Sequence, residues 1–372
     1  MTGAYLPGAA PALESSLRHE CTVTAVLVPF APLVLDAEAL TVTFSEDWSP
    51  QIQASITVPA GMDAGLYDVL DPQKRCKILI DAGYTYPDNT ADVHPLAELY
   101  LRTRPVRRPD NTMELTASSG ESLAQDAKLD PWTSWSPNRA GLTEWVTWLV
   151  TYAMYPETPE ITSTFAAGYS AAAMADIPVE AGMDCWSLIA EAASRAGAWV
   201  YADGPRWIIT GRPTDSGTVA HTVKTGPHGT AFSTQAQISR DGFANSCLIT
   251  YRWKEAGVDK LRTGYAEIST GPLAPASAGR VGDATERTGP VTAAAANTAA
   301  ASRLANLASR GRSVLLEAHA AYWLRPSQTI MFQLPTGEPE RALVRSVTFA
   351  PLTGSMNITT RQAFDVPMNL GE

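Results

Sequence analysis

Residues 324–360 read "LRPSQTIMFQLPTGEPERALVRSVTFAPLTGSMNITT", and residues 70–116 read "LDPQKRCKILIDAGYTYPDNTADVHPLAELYLRTRPVRRPDNTMELT". Both open on Leu-x-Pro and run into an alternating strand. Both then cross a polar turn, return as a second strand, and finish in a turn followed by "SMNIT" or "TMELT". Apolar residues at every second position mark a strand with one buried face, because successive side chains point to opposite sides. The first strands align Pro72 with Pro326, Cys76 with Ile330, Ile78 with Phe332 and Ile80 with Leu334, an offset of 254 (326 minus 72). The exit strands align Met113 with Met356, Leu115 with Ile358 and Thr116 with Thr359, an offset of 243 (356 minus 113). The first hairpin therefore holds eleven extra residues (254 minus 243), which a loop absorbs at small entropic cost. The pattern predicts one β-unit present twice in a single chain.

Working outward, residues 1–20 read as an N-terminal arm. "CTVTAVLV", "ALTVTFSEDW" and "QIQASITVP" then supply strands between prolines 29, 32, 50 and 59, which end strands without removing a ladder bond. With the hairpin they predict a first small antiparallel β-barrel over 21–120. After Gly120 the period changes. Leu142, Trp145, Leu149 and Tyr152 recur at helical spacing up to Pro156. A second helix lies in "GMDCWSLIAEAASRAG", capped by Asp184, ended by Gly197 and facing inward through Trp186, Ile189, Ala190 and Ala193. "AWVYADGPRWIITGRP" reads as a hairpin turning at Asp203-Gly204. Residues 121–215 are thus expected to form a mixed α/β domain.

Strands resume in "TAFSTQAQIS" and "SCLITYRW", opening a second β-barrel domain over 216–372. The stretch 269–290 reads as an exposed loop. An Ala-rich helix at about 291–310 follows, with Ala300, Leu304, Leu307 and Ala308 on one narrow face. The expected fold class is mainly β with an α/β insert: two small antiparallel β-barrel domains flanking a mixed α/β domain.

The chain has 372 residues, 45% hydrophobic and 18% charged, with a net charge of −10. This balance opposes a nucleic-acid clamp, which needs a basic stripe to neutralise phosphates. No basic head with an apolar core opens the chain, and no apolar run approaches the roughly 20 residues of a membrane span. Cys21, Cys76, Cys185 and Cys247 form no CxxC pair and read as buried free thiols.

Three further stretches carry a resemblance: "DCWSLIAEAASRAGAWVYADGPRWIITGRP" (184–213), "SRDGFANSCLITYRW" (239–253) and "ASRGRSVLLEAHAAYWLRPSQTIMF" (308–332). With the two hairpins, in this order, the chain from about 20 to 364 resembles the baseplate or tail-tip hub of tailed bacteriophages. More narrowly it is similar to minor tail proteins of long-tailed phages of actinobacteria. The resemblance implies a structural virion protein at the tail tip, assembled in the host cytoplasm. It implies a homotrimer whose paired barrels form a pseudo-sixfold ring, since cyclic closure is the common solution for assemblies. The partners implied are the distal tail protein hexamer, the C-terminal end of the tape measure protein, and fibre, spike or receptor-binding subunits. Phage DNA would pass through the lumen without specific contacts. Three chains at −10 each would carry −30, and carboxylates along a bore would repel phosphates. The chain ends in "DVPMNLGE" soon after its last strand, and host recognition is therefore expected to lie on other subunits.

"SRDGFANSC" is expected to be a structural turn. Asp241 and Gly242 supply turn chemistry, Arg240 braces Asp241 or a neighbouring carboxylate, and Asn245 bonds backbone where the strand restarts. No HExxH, P-loop or GxSxG occurs, and "GYSAA" (168–172) lacks the closing glycine of a nucleophile elbow. His19, His94, His221, His228 and His319 show no ligand spacing. Asp184 and Glu191 offer a carboxylate pair, with Asp184 better explained as a cap. The sequence thus predicts no catalytic, cofactor or metal residue, and ranks a cell-wall hydrolase below a structural protein. The stronger rival is a host-surface glycan-binding adhesin, with Trp132 and Trp135 of "DPWTSWSP" stacking on a sugar. The competing reading packs Trp145, Trp148, Trp186 and Trp199 into the α/β core, with the loop pair covering its edge.

Overall fold

A computed structural model describes Tyr5 and residues 17–60, 64–131, 141–165, 176–226, 229–333 and 338–365, with residues 64–66 described as backbone only. The first region holds β1 (Arg18–Val26), β2 (Leu33–Leu35), β3 (Ala39–Ser45), β4 (Ile52–Pro59), β5 (Lys77–Thr85), β6 (Ala91–Thr103), β7 (Val106–Arg107) and β8 (Thr112–Ser118). The middle carries β9 (Glu160–Ser163), β10 (Trp199–Asp203) and β11 (Arg206–Thr210). The last region holds β12 (Val219–Val223), β13 (Ala231–Ile238), β14 (Ser246–Glu255), β15 (Val258–Glu267), β16 (Gly282–Thr288), β17 (Arg312–His319), β18 (Thr329–Phe332), β19 (Glu340–Ala350) and β20 (Ser355–Arg361). The helices are α1 (Ala64–Val69), α2 (Glu121–Asp126), α3 (Leu142–Met154), α4 (Cys185–Ala196), α5 (Pro275–Ala278) and α6 (Ala293–Ala308).

The protein is mainly β. Fourteen strands from both ends of the chain join one sheet in the order β13-β17-β20-β19-β3-β4-β8-β6-β5-β1-β2, with β7, β12 and β18 attached to its side. Among the described residues no circuit of pairings closes, so two separate closed barrels are not seen. The two halves are instead continuous, because β3 gives one edge to β4 and the other to β19. One core lies beneath, taking Val42, Phe44, Ile56, Ile78 and Leu115 from the first half and Val314, Ile330, Val347, Phe349 and Ile358 from the second.

Within that sheet the duplication is visible as topology. The order β5-β6-β8-β4-β3 has its counterpart in β18-β19-β20-β17-β13, with every neighbouring pair antiparallel in both. Leu101 pairs with Ala117 and Thr103 with Thr116, while Val344 pairs with Thr360 and Ser346 with Thr359; both ladders skip an arginine, Arg102 or Arg345. This fixes the exit-strand offset at 243 (359 minus 116), as the sequence alignment has it. The first strands need a correction. Tyr100 opposes Lys77 and Leu343 opposes Thr329, so the offset there is 252 (329 minus 77). The Leu101 N–H donates to the Cys76 carbonyl, and the Val344 N–H to the Gln328 carbonyl. Arg75 and Ser327 both hold a left-handed backbone, φ 55° and 67°. Ile78 therefore corresponds to Ile330 and Ile80 to Phe332. The insertion is nine residues (252 minus 243). A shift of two preserves the face on which each side chain lies, so alternation could not detect it; the matching Leu-x-Pro signatures had drawn the register astray.

The α/β segment builds its own core from α3, α4 and the β10-β11-β9 sheet. Leu142, Trp145 and Leu149 are buried, and the Trp145 indole N–H donates to the Leu188 carbonyl at 3.3 Å. Tyr152 is half-buried at the edge and donates to the Lys128 carbonyl. Asp184 caps α4 by accepting from the Ser187 N–H at 2.7 Å, and Gly197 ends it at φ 71°. The buried face is Cys185, Leu188, Ile189, Ala192, Ala193 and Ala196, with Trp186 at the margin and Ala190 in solvent. That face is rotated from the expected one, with the Trp186 indole meeting the sheet at its edge, 6.3 Å from the Trp207 ring.

Residues 269–290 also differ from expectation. They contain α5 and β16, which pairs in parallel with β14 to form a third sheet, β15-β14-β16. Its sequence "GDATERT" is polar on both faces, so hydrophobic alternation gave no sign of it. The helix α6 packs on this sheet through Ala295, Ala296, Ala299, Ala300 and Leu304, leaving Leu307 half-buried.

Candidate assembly interface

The turns that follow β3 and β13 are built alike. After β3, the Ser45 N–H donates to the Gln51 carbonyl at 3.0 Å and the Asp47 N–H to Ser45 Oγ at 3.3 Å. After β13, the Ser239 N–H donates to the Gly311 carbonyl at 2.9 Å and the Asp241 N–H to Ser239 Oγ at 2.9 Å. Phe44-Ser45-Glu46-Asp47 and Ile238-Ser239-Arg240-Asp241 are thus one motif, repeated 194 residues apart (241 minus 47). In the first half Gln51 follows almost at once. In the second, β14–β16 and α6 are inserted between the same two points.

What the first copy of this motif does is visible in the joint between the halves. Ser45, Phe44, Thr43 and Val42 oppose Ser346, Val347, Thr348 and Phe349. The Glu46 N–H donates to the Arg345 carbonyl at 3.1 Å, and the hydroxyls of Thr43 and Thr348 lie 2.9 Å apart. Asp47 accepts from both Arg310 and Arg345. Glu46, 1% exposed, bonds the Arg361 guanidinium through both oxygens and accepts from Ser327 Oγ at 2.9 Å. Its carbonyl takes the Arg212 guanidinium at 2.7 Å, and burial pushes the Arg212 pKa down. Desolvated charges are tolerable only when paired this fully. The ion network therefore fixes the register of the joint as well as its position.

The motif's second copy has a different environment. Arg240 and Asp241 are both exposed, and among the described residues no ion pair joins the two. Gly242 turns the chain at φ 73°. Asn245 is fully buried; its amide N–H groups donate to the Leu273 and Gly279 carbonyls at 3.0 and 2.8 Å, and its oxygen accepts from the Val281 N–H at 2.8 Å. All of its bonds go to backbone, tying the 273–281 segment to the start of β14. Ile238, Arg240, Phe243 and Arg312 line a cleft of about 310 Å³ beside this turn.

Elsewhere the thiols are held protonated. Burial pushes the Cys76 and Cys247 thiols up to about 11 and the Cys21 and Cys185 thiols to about 12, far from the reactive thiolate range. His19 touches the Tyr322 hydroxyl at 3.0 Å and stacks on His319; His94 bonds Asp92 at 2.7 Å; His221 is buried. Among the described residues no three His, Cys, Asp or Glu side chains group as metal ligands. A cleft of about 570 Å³ on α3 is walled by Thr143, Thr147, Trp148 and Tyr155, with Glu144 its one carboxylate among the described residues. Trp132, Trp135, His228 and the stretch 168–172 lie outside the described residues.

Sequence reasoning singled out Arg240, Asp241 and Asn245 but passed over Glu46, Asp47, Arg102, Arg345 and the strand edges. The signal was present in two short pairs, "FSED" with "ISRD" and "LRT" (101–103) with "VRS" (344–346). Each is too short to stand out without the ladders.

No protein-family model matches the sequence, and a search of curated proteins finds no relative. Solved structures do resemble it. The 43 kDa tail protein of prophage MuSo2 from Shewanella oneidensis is similar at a TM-score of 0.61 and 12% identity, over 92% of this chain and 99% of that one. A tail protein from Neisseria meningitidis MC58 gives 0.62 and 10%, over 92% and 96%. A prophage tail protein from Listeria monocytogenes EGD-e gives 0.55 and 10%, over 91% and 94%. The chain has the fold of phage tail proteins over nearly its whole length.

Proposed function

We propose that this fold serves a structural, non-enzymatic role at the tail tip of a tailed phage. Three chains form a ring in which six barrel-like β-units surround a channel. One face of the ring meets the distal tail hexamer and the other carries fibre or spike proteins. The tape-measure end and the DNA occupy the lumen. The carrying observation is the twin five-strand unit within one chain, joined edge to edge through β3 and β19. Two equivalent units per chain let a threefold assembly present six similar surfaces to a sixfold neighbour. The likeness to whole tail proteins, rather than to a fragment of them, supports the same reading.

The test is the mass and image of the purified chain. Light scattering should give three chains, and particle averages should show a threefold ring with an open centre and six lobes. A monomer at every concentration, or a compact dimer without a hole, would refute the ring.

A further inference from the structure

The internal joint uses one edge from each unit: β3 of the first and the distal half of β19 of the second. Each unit also owns the counterpart it does not use internally. The counterpart of β3 is β13, and that of Ser346–Phe349 is Thr103–Val106 (346 minus 243; 349 minus 243). Among the described residues no strand pairs with the outer edge of either. The exposure is correspondingly lopsided: Phe44 is 1% exposed in the joint, whereas Ile238 at the same place in β13 is 68% exposed.

We infer that the outer edge of β13 in one copy pairs antiparallel with Thr103–Val106 of a second copy, repeating the β3–β19 joint between molecules. This rests on the ring reading above and gives it an interface. The register follows from the internal one: Ser239 opposes Thr103, Ile238 opposes Arg104, Gln237 opposes Pro105 and Ala236 opposes Val106. Arg102 stands where Arg345 does, at the same skipped position of the ladder. Asp241, exposed at the place of Asp47, reaches it across the joint. In the single chain Arg102 pairs with Asp126 at the surface.

Proline at 105 does not obstruct this pairing. In an antiparallel ladder, residues alternate between bonding one neighbour and the other. The Pro105 carbonyl accepts from the Glu114 N–H at 3.0 Å, so this residue faces β8. Arg104 and Val106 then turn their backbone groups outward. On β13 the Ser239 N–H points inward to Gly311, so Ile238 and Ala236 turn theirs outward. The edges are head-to-tail rather than self-complementary, so the contact propagates from copy to copy until a ring closes. An unpaired strand edge otherwise invites indiscriminate association, and here it meets a partner of matched register.

Two variants test the pairing. Ala236→Pro removes an outward N–H and leaves the β17 ladder untouched, as edge prolines do. The mass in solution should drop about threefold, with an unchanged circular dichroism spectrum. Independently, Gln237→Cys combined with Pro105→Cys places thiols where Thr43 and Thr348 nearly touch. Mild oxidation should yield disulfide-linked multimers on a non-reducing gel, absent from either single variant. Thr43→Cys with Thr348→Cys, forming its bond within one chain, calibrates the oxidation. If the parent chain forms a ring but the Ala236→Pro ring stays intact and the cysteine pair does not link copies, the interface is wrong and the ring reading survives. If the parent is monomeric throughout, both fall.

Discussion

His221 is 4% exposed, lies edge-on to Trp323 at 5.6 Å, and has neither ring nitrogen hydrogen-bonded among the described residues. Burial lowers its pKa to about 4. Burial, with a smaller push from His319, takes His19 to about 4, and His319 is itself lowered by burial. A base whose folded pKa lies below its unfolded value, about 6.5, binds its proton more readily when unfolded. Its stabilisation is complete above about pH 6.5 and is lost as the pH falls toward 4. The buried Glu121 acts in the opposite sense, since burial raises its pKa, so wild type alone does not isolate the histidines. The difference between wild type and His221→Phe does: it should grow in the variant's favour by on the order of 2–3 kcal/mol between pH 7 and pH 4. Urea titrations at both pH values check it, and parallel curves would rule it out. The Glu46–Arg361 pair tests another residue-level cause. Arg361→Met strands a carboxylate that is 1% exposed, and should cost about 3–5 kcal/mol. Adding Glu46→Gln should recover part of that loss in the same titration, because the buried charge is then gone.

At the scale of elements, legibility depended on whether the signal was apolar. The hairpins, β1, β3, β4, α3, α4 and α6 each bury a periodic face, and each was readable from the sequence. β16 was not, because its side chains are polar and its place comes from pairing with β14. The turn at Arg240–Asp241 was recognised as a turn, but its equivalence to Glu46–Asp47 rests on backbone bonds that no composition reveals. Joining β3 to β19 was illegible for the same reason: an edge is a row of amide groups, common to every sequence. The packing of α6 on β15 depends instead on the smallness of one residue. A Cβ added to Gly264 would overlap the Ala296 carbonyl, and this backbone of the helix cannot retreat without uncovering Cys247, Ile249 and Tyr251. Gly264→Ala should therefore lower stability by about 1–3 kcal/mol. Asn297 Oδ1, which accepts from the Tyr265 N–H at 3.2 Å, reports the displacement: hydrogen exchange at Tyr265 should quicken in the variant. Unchanged exchange there would mean the helix tolerates the methyl group.

For the molecule as a whole, the shared sheet has a consequence that two independent barrels would not. Phe44 and Phe349 come from opposite halves, meet edge to face at 6.0 Å, and are almost wholly buried. Tyr84 of β5 donates to the Ala320 carbonyl at 2.6 Å and accepts from the Tyr322 N–H at 3.2 Å, a second bond between halves through a buried hydroxyl. With the Glu46–Arg361 and Asp47–Arg345 pairs, apolar, hydrogen-bonded and ionic contacts all cross the same seam. Neither half can open there without exposing apolar surface and stranding charge, so the β core should unfold as one cooperative unit. Cys76 makes this measurable, because it is fully buried in the first half. Phe349→Ala, in the second half, should cost about 3–5 kcal/mol. If the halves are coupled, it should bring forward the exposure of Cys76 to a thiol reagent by on the order of 0.5–1 M urea. If they are separate bodies, the variant will loosen β19 and β20 while Cys76 keeps its wild-type midpoint.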